Sequence, residues 1–97
     1  MNERKWMIYG ANGFSAMLAI EESVKRGLKP VLAGRSPIIE KIAREFDLDF
    51  QIFSLSSVNE VASQIKGLAV LANCAGPFSE TAETMIQACI LAKVCLL

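Results

Sequence analysis

Short apolar runs alternate along this chain with segments whose apolar residues recur every three or four positions. Residues 5–9 form the first run and read as a strand. Residues 14–26 follow with Ala16, Ala19, Ile20, Ser23 and Val24 on one helical stripe. Their other face offers Glu21–Lys25 and Glu22–Arg26 in the favourable i,i+4 order, and Gly27 supplies a left-handed stop. Residues 30–33 are the next strand. Ser36 caps a second helix with Pro37 at its first position, and Ile38, Ile39, Ile42, Ala43 and Phe46 form its buried stripe. Residues 49–53 read as a third strand. A capping box, Ser57 with Glu60, opens a short helix through Val61, Ala62 and Ile65 that stops at Gly67. Residues 68–72 are continuously apolar, as a strand covered on both faces should be. Residues 81–92 form a fourth helix with Ala82, Met85, Ile86, Cys89 and Ile90 inward, and residues 94–97 begin a fifth strand.

Strand and helix repeated four times, followed by a strand, predict an α/β fold: a Rossmann-like, doubly wound parallel sheet of five strands with four helices. Residues 1–97 are then a single domain. The last apolar strand has no polar cap, a complete domain of this kind usually has a sixth strand, and an enzyme needs a substrate-binding part. The expectation is therefore a truncated domain, the front portion of a longer protein, whose open sheet edge near the C-terminus favours self-association or docking on a partner.

Composition narrows the chemistry. The chain has 10 Lys and Arg against 10 Asp and Glu, so no net field draws it to nucleic acid or to an anionic membrane. It has no histidine, which excludes His-based triads, His-ligated metals and His proton shuttles within these residues. Cys74, Cys89 and Cys95 lack the spacing of a disulfide framework or a zinc site; they read as small buried residues and suit a reducing cytoplasm. No leader peptide and no membrane-spanning run is visible.

The first candidate site is the loop Gly10-Ala11-Asn12-Gly13-Phe14-Ser15-Ala16 between the first strand and the first helix. Gly10 lets the chain turn sharply. Gly13, without a side chain, lets a pyrophosphate approach the unpaired N–H groups and positive dipole end of the helix. Asn12 tolerates a left-handed conformation, the Ser15 hydroxyl reaches toward a phosphate oxygen, and Ala16 lets the helix press on the sheet. The alternative is a tight turn without a ligand, but a loop after a first strand and before a helix is where the dinucleotide fingerprint belongs.

The second candidate is Gly34-Arg35-Ser36. An NAD site usually places an acid here for the ribose 2′-hydroxyl. This sequence has no acid between Glu22 and Glu40. A guanidinium, a hydroxyl and a helix N-terminus suit a 2′-phosphate, so the cofactor expected is NADP rather than NAD. A solvated arginine beside a helix cap is the alternative. The third candidate is Asn73-Cys74-Ala75-Gly76-Pro77-Phe78, whose small residues let the central riboses and nicotinamide lie close to backbone; a loop shaped only for packing is its alternative. Leu55 and Ser56 are candidates to border the adenine. No residue stands out as a general acid, a general base or a metal ligand.

Taken together, GANGFSA, LAGRS and NCAGPFSETAETMIQAC resemble the NADP-binding N-terminal domain of the saccharopine dehydrogenase-like oxidoreductases, a family that includes trans-acting enoyl reductases. The resemblance covers essentially the whole chain, and the NCAGPF stretch is its most distinctive part. The family's usual first loop is GATGYTG; here Asn12, Phe14, Ser15 and Ala16 differ in ways compatible with the same backbone. The resemblance implies that Gly10, Ala11, Asn12, Gly13, Phe14 and Ser15 line the pyrophosphate, that Arg35 and Ser36 hold the 2′-phosphate, and that Ala75, Gly76, Pro77 and Phe78 face the nicotinamide half. It also implies hydride transfer in an intact protein. The family's segment after the fourth helix is absent, so this chain alone is expected to be inactive. The competing class is a non-catalytic NADP(H)-sensing or protein-interaction module on the same scaffold.

Overall fold

A computed structural model describes residues 5–75 and 78–97, the latter with side chains from residue 82 onward. The strands are β1 (Trp6–Tyr9), β2 (Val31–Gly34), β3 (Phe50–Ile52), β4 (Val70–Asn73) and β5 (Cys95–Leu96); the helices are α1 (Phe14–Lys25), α2 (Ile38–Phe46), α3 (Val58–Ile65) and α4 (Phe78–Ala92). Every strand pairing is parallel and the sheet order is β3-β2-β1-β4-β5. The order reverses between β1 and β4, so this is a Rossmann-like α/β sheet with its switch point beside β1, as the sequence predicts.

Strand alternation divides the core in two. Met7 and Tyr9 of β1, Ala33 of β2 and Leu71 of β4 pack with Val61 and Ile65 of α3 and Met85, Ala88 and Cys89 of α4. The intervening residues Ile8 and Leu32 face the other way, onto Ala16 and Ile20 of α1 and Ile39, Ile42 and Ala43 of α2. Two helices thus cover each face. Each fully buried Ile or Leu contributes about 1.5–3 kcal/mol relative to an exposed one.

Several expected details differ. Ile38 of α2 and Ile86 and Ile90 of α4, read as buried, are exposed, and so is Ala19 of α1. On α4 the buried row runs through Met85, Ala88, Cys89 and partly Ala92, because small residues let the helix approach α3 and the sheet closely. Cys95, also read as buried, lies exposed on the edge strand. Leu71 is the one fully covered residue of β4, whose other members are half-buried. Of the two ion pairs expected on α1, Glu22–Arg26 forms at 2.6 Å and Glu21–Lys25 is not among those formed. The capping box is half realised: the Glu60 N–H donates to Ser57 Oγ, but the Glu60 carboxylate accepts from the neighbouring Ser56 hydroxyl. Asp47 and Lys93 follow α2 and α4 with positive φ, where glycine would be the usual choice.

Candidate functional site

Three loops meet at the C-terminal end of the sheet, and Gly10 is their junction. Its N–H and that of Ala11 both donate to the Ala33 carbonyl of β2, at 2.8 and 3.1 Å. With φ at +82°, Gly10 turns the chain away from the strand. A Cβ built on it would lie 2.6 Å from Ala75 N and 2.8 Å from Ala75 Cα, in the loop after β4. The end of β2 approaches from the other side: a Cβ on Gly34 would meet Ile39 Cδ1 of α2 at 2.9 Å and Gly10 N at 3.8 Å. These contacts explain two small residues by the protein's own packing.

Gly13 is different. It is the N-cap of α1 with φ −83° and ψ 163°, a conformation open to any residue. Among the described residues, an added Cβ would come no closer than 3.4 Å to any neighbour, the Gly10 carbonyl oxygen. Neither strain nor crowding among the described residues requires glycine here; what glycine leaves among them is room above the helix. The first turn of α1 carries no acid and no side-chain cap. The Gly13 N–H donates to Gly10 O and the Met17 N–H to Gly13 O, both at 3.0 Å, while the N–H groups of Phe14, Ser15 and Ala16 meet no acceptor among the described residues. Unpaired N–H groups at a helix start favour an anion. Asn12, Phe14 and Ser15 are exposed at this mouth, Phe14 by 82%. Ala11 is fully buried, and with Gly10 it supplies shape rather than free donors.

Arg35 is exposed just past β2. Ser36 Oγ accepts the Ile38 N–H at 3.3 Å, which leaves its own O–H proton free to donate. Leu55 packs against the α3/α4 side of the core while Ser56 is spent on Glu60. In the loop after β4, the Ala75 N–H donates to Asn73 Oδ1 at 3.1 Å, a turn that brings Ala75 over Gly10. Gly76, Pro77 and the side chain of Phe78 lie outside the described residues. Burial pushes the Cys74 and Cys89 thiols above their usual range and keeps them neutral. Among the described residues, no three metal-ligating side chains gather into a cluster, and no helix is long and apolar enough to cross a membrane.

Tyr9 is a member of this neighbourhood that sequence reasoning missed. Buried at 3% exposure, it donates its hydroxyl to the Phe53 carbonyl at 2.7 Å, and the two rings lie 5.0 Å apart. Burial raises the phenol's pKa, partly offset by the positive Arg35. An aromatic polar residue immediately before Gly10, in a strand otherwise apolar, was the available signal.

No protein-family model matches the sequence, and neither does any curated protein. Solved structures do match by fold. Saccharopine dehydrogenase (L-Glu forming) from Saccharomyces cerevisiae superposes with a TM-score of 0.82 at 11% identity, over 97% of this chain and 21% of that one. A nucleoside-diphosphate-sugar epimerase from Pseudomonas aeruginosa gives 0.73 at 18% identity, over 96% and 32%. An NADPH-dependent quinone oxidoreductase from Escherichia coli, solved with NADPH, gives 0.74 at 18% identity, over 92% and 34%. This chain therefore spans about a third or less of each of these proteins, and at these identities the likeness is one of fold.

Proposed function

We propose that residues 1–97 are the NADP(H)-binding domain of a saccharopine dehydrogenase-like oxidoreductase and form the front part of a longer cytoplasmic enzyme. The observation that carries the reading is Gly13: a glycine that nothing among the described residues demands, at the uncapped start of α1, beside the switch point of a parallel sheet. Room for a pyrophosphate accounts for it. The matching quinone oxidoreductase, NADPH-dependent by name and solved with NADPH, supports the same class of ligand.

In this reading, the N–H groups of Phe14, Ser15 and Ala16 hold the pyrophosphate, with the Ser15 hydroxyl and Asn12 at the rim. Arg35 and the Ser36 O–H take the 2′-phosphate, in a stretch without the acid that would favour a 2′-hydroxyl. Leu55 and Ser56 border the adenine, and Ala75 and the residues after it border the nicotinamide half. When bound, the cofactor exchanges hydride with a C=N, C=O or C=C bond of a substrate held outside these residues. Exposed Ile86, Ile90 and Leu91 of α4 and Leu97 after β5 support the further point that apolar surface here is covered, by another copy or by a partner. The test of the cofactor assignment is Arg35→Ala. It should weaken NADPH binding by about 1.5–3 kcal/mol, the scale of hydrogen bonds to a charged group, and leave NADH binding unchanged. Equal losses for both would sink the assignment of Arg35 to the 2′-phosphate.

A further inference from the structure

We propose that Tyr9 is a positioning residue for the nucleobase end of this site, holding the Phe53–Ser56 stretch in place through its hydroxyl bond to the Phe53 carbonyl. The inference rests on the dinucleotide reading and assigns a role to a residue that does not itself touch the ligand.

Tyr9 ends β1 and Phe53 follows β3, with β2 lying between them in the sheet. Two strand spacings are about 9.5 Å, so the tyrosine must lean across its neighbour. Ala33, its register partner on β2, sits on the same face and is small enough to be crossed. Both backbone polar groups of Phe53 are then engaged: its N–H donates to Gly34 O at 2.9 Å, and its carbonyl accepts the Tyr9 hydroxyl at 2.7 Å. Past Ile52 the ladder of β3 has ended. These two bonds and the ring contact of Tyr9 with Phe53 therefore set the path of the chain toward Leu55 and Ser56. One of the two comes from Gly34, directly before Arg35, and the charge of Arg35 reaches the Tyr9 phenol. The wall proposed for the adenine and the group proposed for the 2′-phosphate thus share one hydrogen-bonded frame. Burial keeps the phenol protonated at neutral pH, so the donor is always present.

Tyr9→Phe removes one oxygen and keeps the ring packing, so the variant folds. Its affinity for adenosine 2′,5′-bisphosphate and for NADPH should fall together by about three- to tenfold, because a smaller fraction of molecules presents the competent wall. Amide exchange over residues 53–56 should quicken in the free variant. A residue that served only stability would lower the melting temperature yet leave the folded protein's affinities unchanged. Tyr9→Phe binding adenosine 2′,5′-bisphosphate as tightly as wild type, with unchanged exchange over 53–56, overturns the role of Tyr9 alone. Wild type binding neither adenosine 2′,5′-bisphosphate nor NADPH overturns the dinucleotide reading, and this inference with it.

Discussion

Gly10 and Gly13 stand three residues apart in one loop, yet the structure gives them opposite reasons to be glycine. Gly10→Ala places a methyl group 2.6–2.9 Å from backbone atoms of Cys74 and Ala75, at φ +82°. Backbone does not move aside as a side-chain tip does. The left-handed conformation costs a residue with a Cβ about 1–2 kcal/mol, and overpacking costs about 1–3 kcal/mol more. The sum, about 2–5 kcal/mol, is a large part of the roughly 5–15 kcal/mol that holds a domain this size together. At about 4–8 °C per kcal/mol the melting temperature should drop by at least ~8 °C. Gly27→Ala is the control: its φ is +79°, but nothing among the described residues lies within 4 Å, so it should lose only about 1–2 kcal/mol. Gly13→Ala has ordinary φ and its closest contact at 3.4 Å, so it should lose at most about 1 kcal/mol, the preference of a helix cap for glycine over alanine. Its dinucleotide binding should nevertheless be lost. Urea unfolding of all three, followed by Trp6 fluorescence, and a cofactor titration of Gly13→Ala provide the readouts. The packing argument fails if Gly10→Ala is no more destabilising than Gly27→Ala. The ligand argument fails if Gly13→Ala binds NADPH like wild type.

Other consequences are simpler to check. Gly34→Ala should destabilise by about 1–3 kcal/mol through its clash with Ile39 Cδ1. Adding Ile39→Ala, which removes both Cδ1 and the Cγ1 that lies at 3.0 Å, should make the double variant more stable than the two separate losses sum to in a double-mutant cycle. In native protein treated with iodoacetamide at pH 8, mass spectrometry should find exposed Cys95 modified first. Buried Cys89, held neutral by desolvation, should be modified last. Lys93→Gly should raise stability by about 0.5–1 kcal/mol, because φ of +60° burdens lysine more than the extra chain entropy of glycine does; a loss in thermal unfolding would contradict that reading.

How much of this was legible in the sequence depends on how local its cause is. The order of elements was legible because a period of two changes to one near 3.6 at each loop, and Gly27 and Ser57 mark their helix ends by chemistry that acts within a few residues. The buried row of α4 was legible only in Met85 and Cys89, because residues 82–92 offer two adjacent apolar rows; contact with α3 adds Ala88 to the buried row and leaves Ile86 and Ile90 outside. The ends of α2 and α4 likewise carry Asp47 and Lys93 where a glycine would have announced them. Within the site, GANGFSA and the missing acid near Arg35 could be read directly. The close approach that forbids a Cβ on Gly10 could not, since it depends on Ala75 arriving from the far side of the switch point. Nor could the Tyr9–Phe53 bond, which joins residues 44 positions apart.

Everything proposed for this chain depends on its holding a nicotinamide dinucleotide by the pyrophosphate and the 2′-phosphate. Cofactor fluorescence is the suitable signal, because Trp6 begins β1 at the end of the sheet away from Gly10. Titration of the wild-type chain with NADPH and, in parallel, NADH tests this most directly. Saturable binding of NADPH, at least tenfold tighter than NADH, is the predicted result; binding of NADH as tight as or tighter than NADPH, or binding of neither, would contradict it.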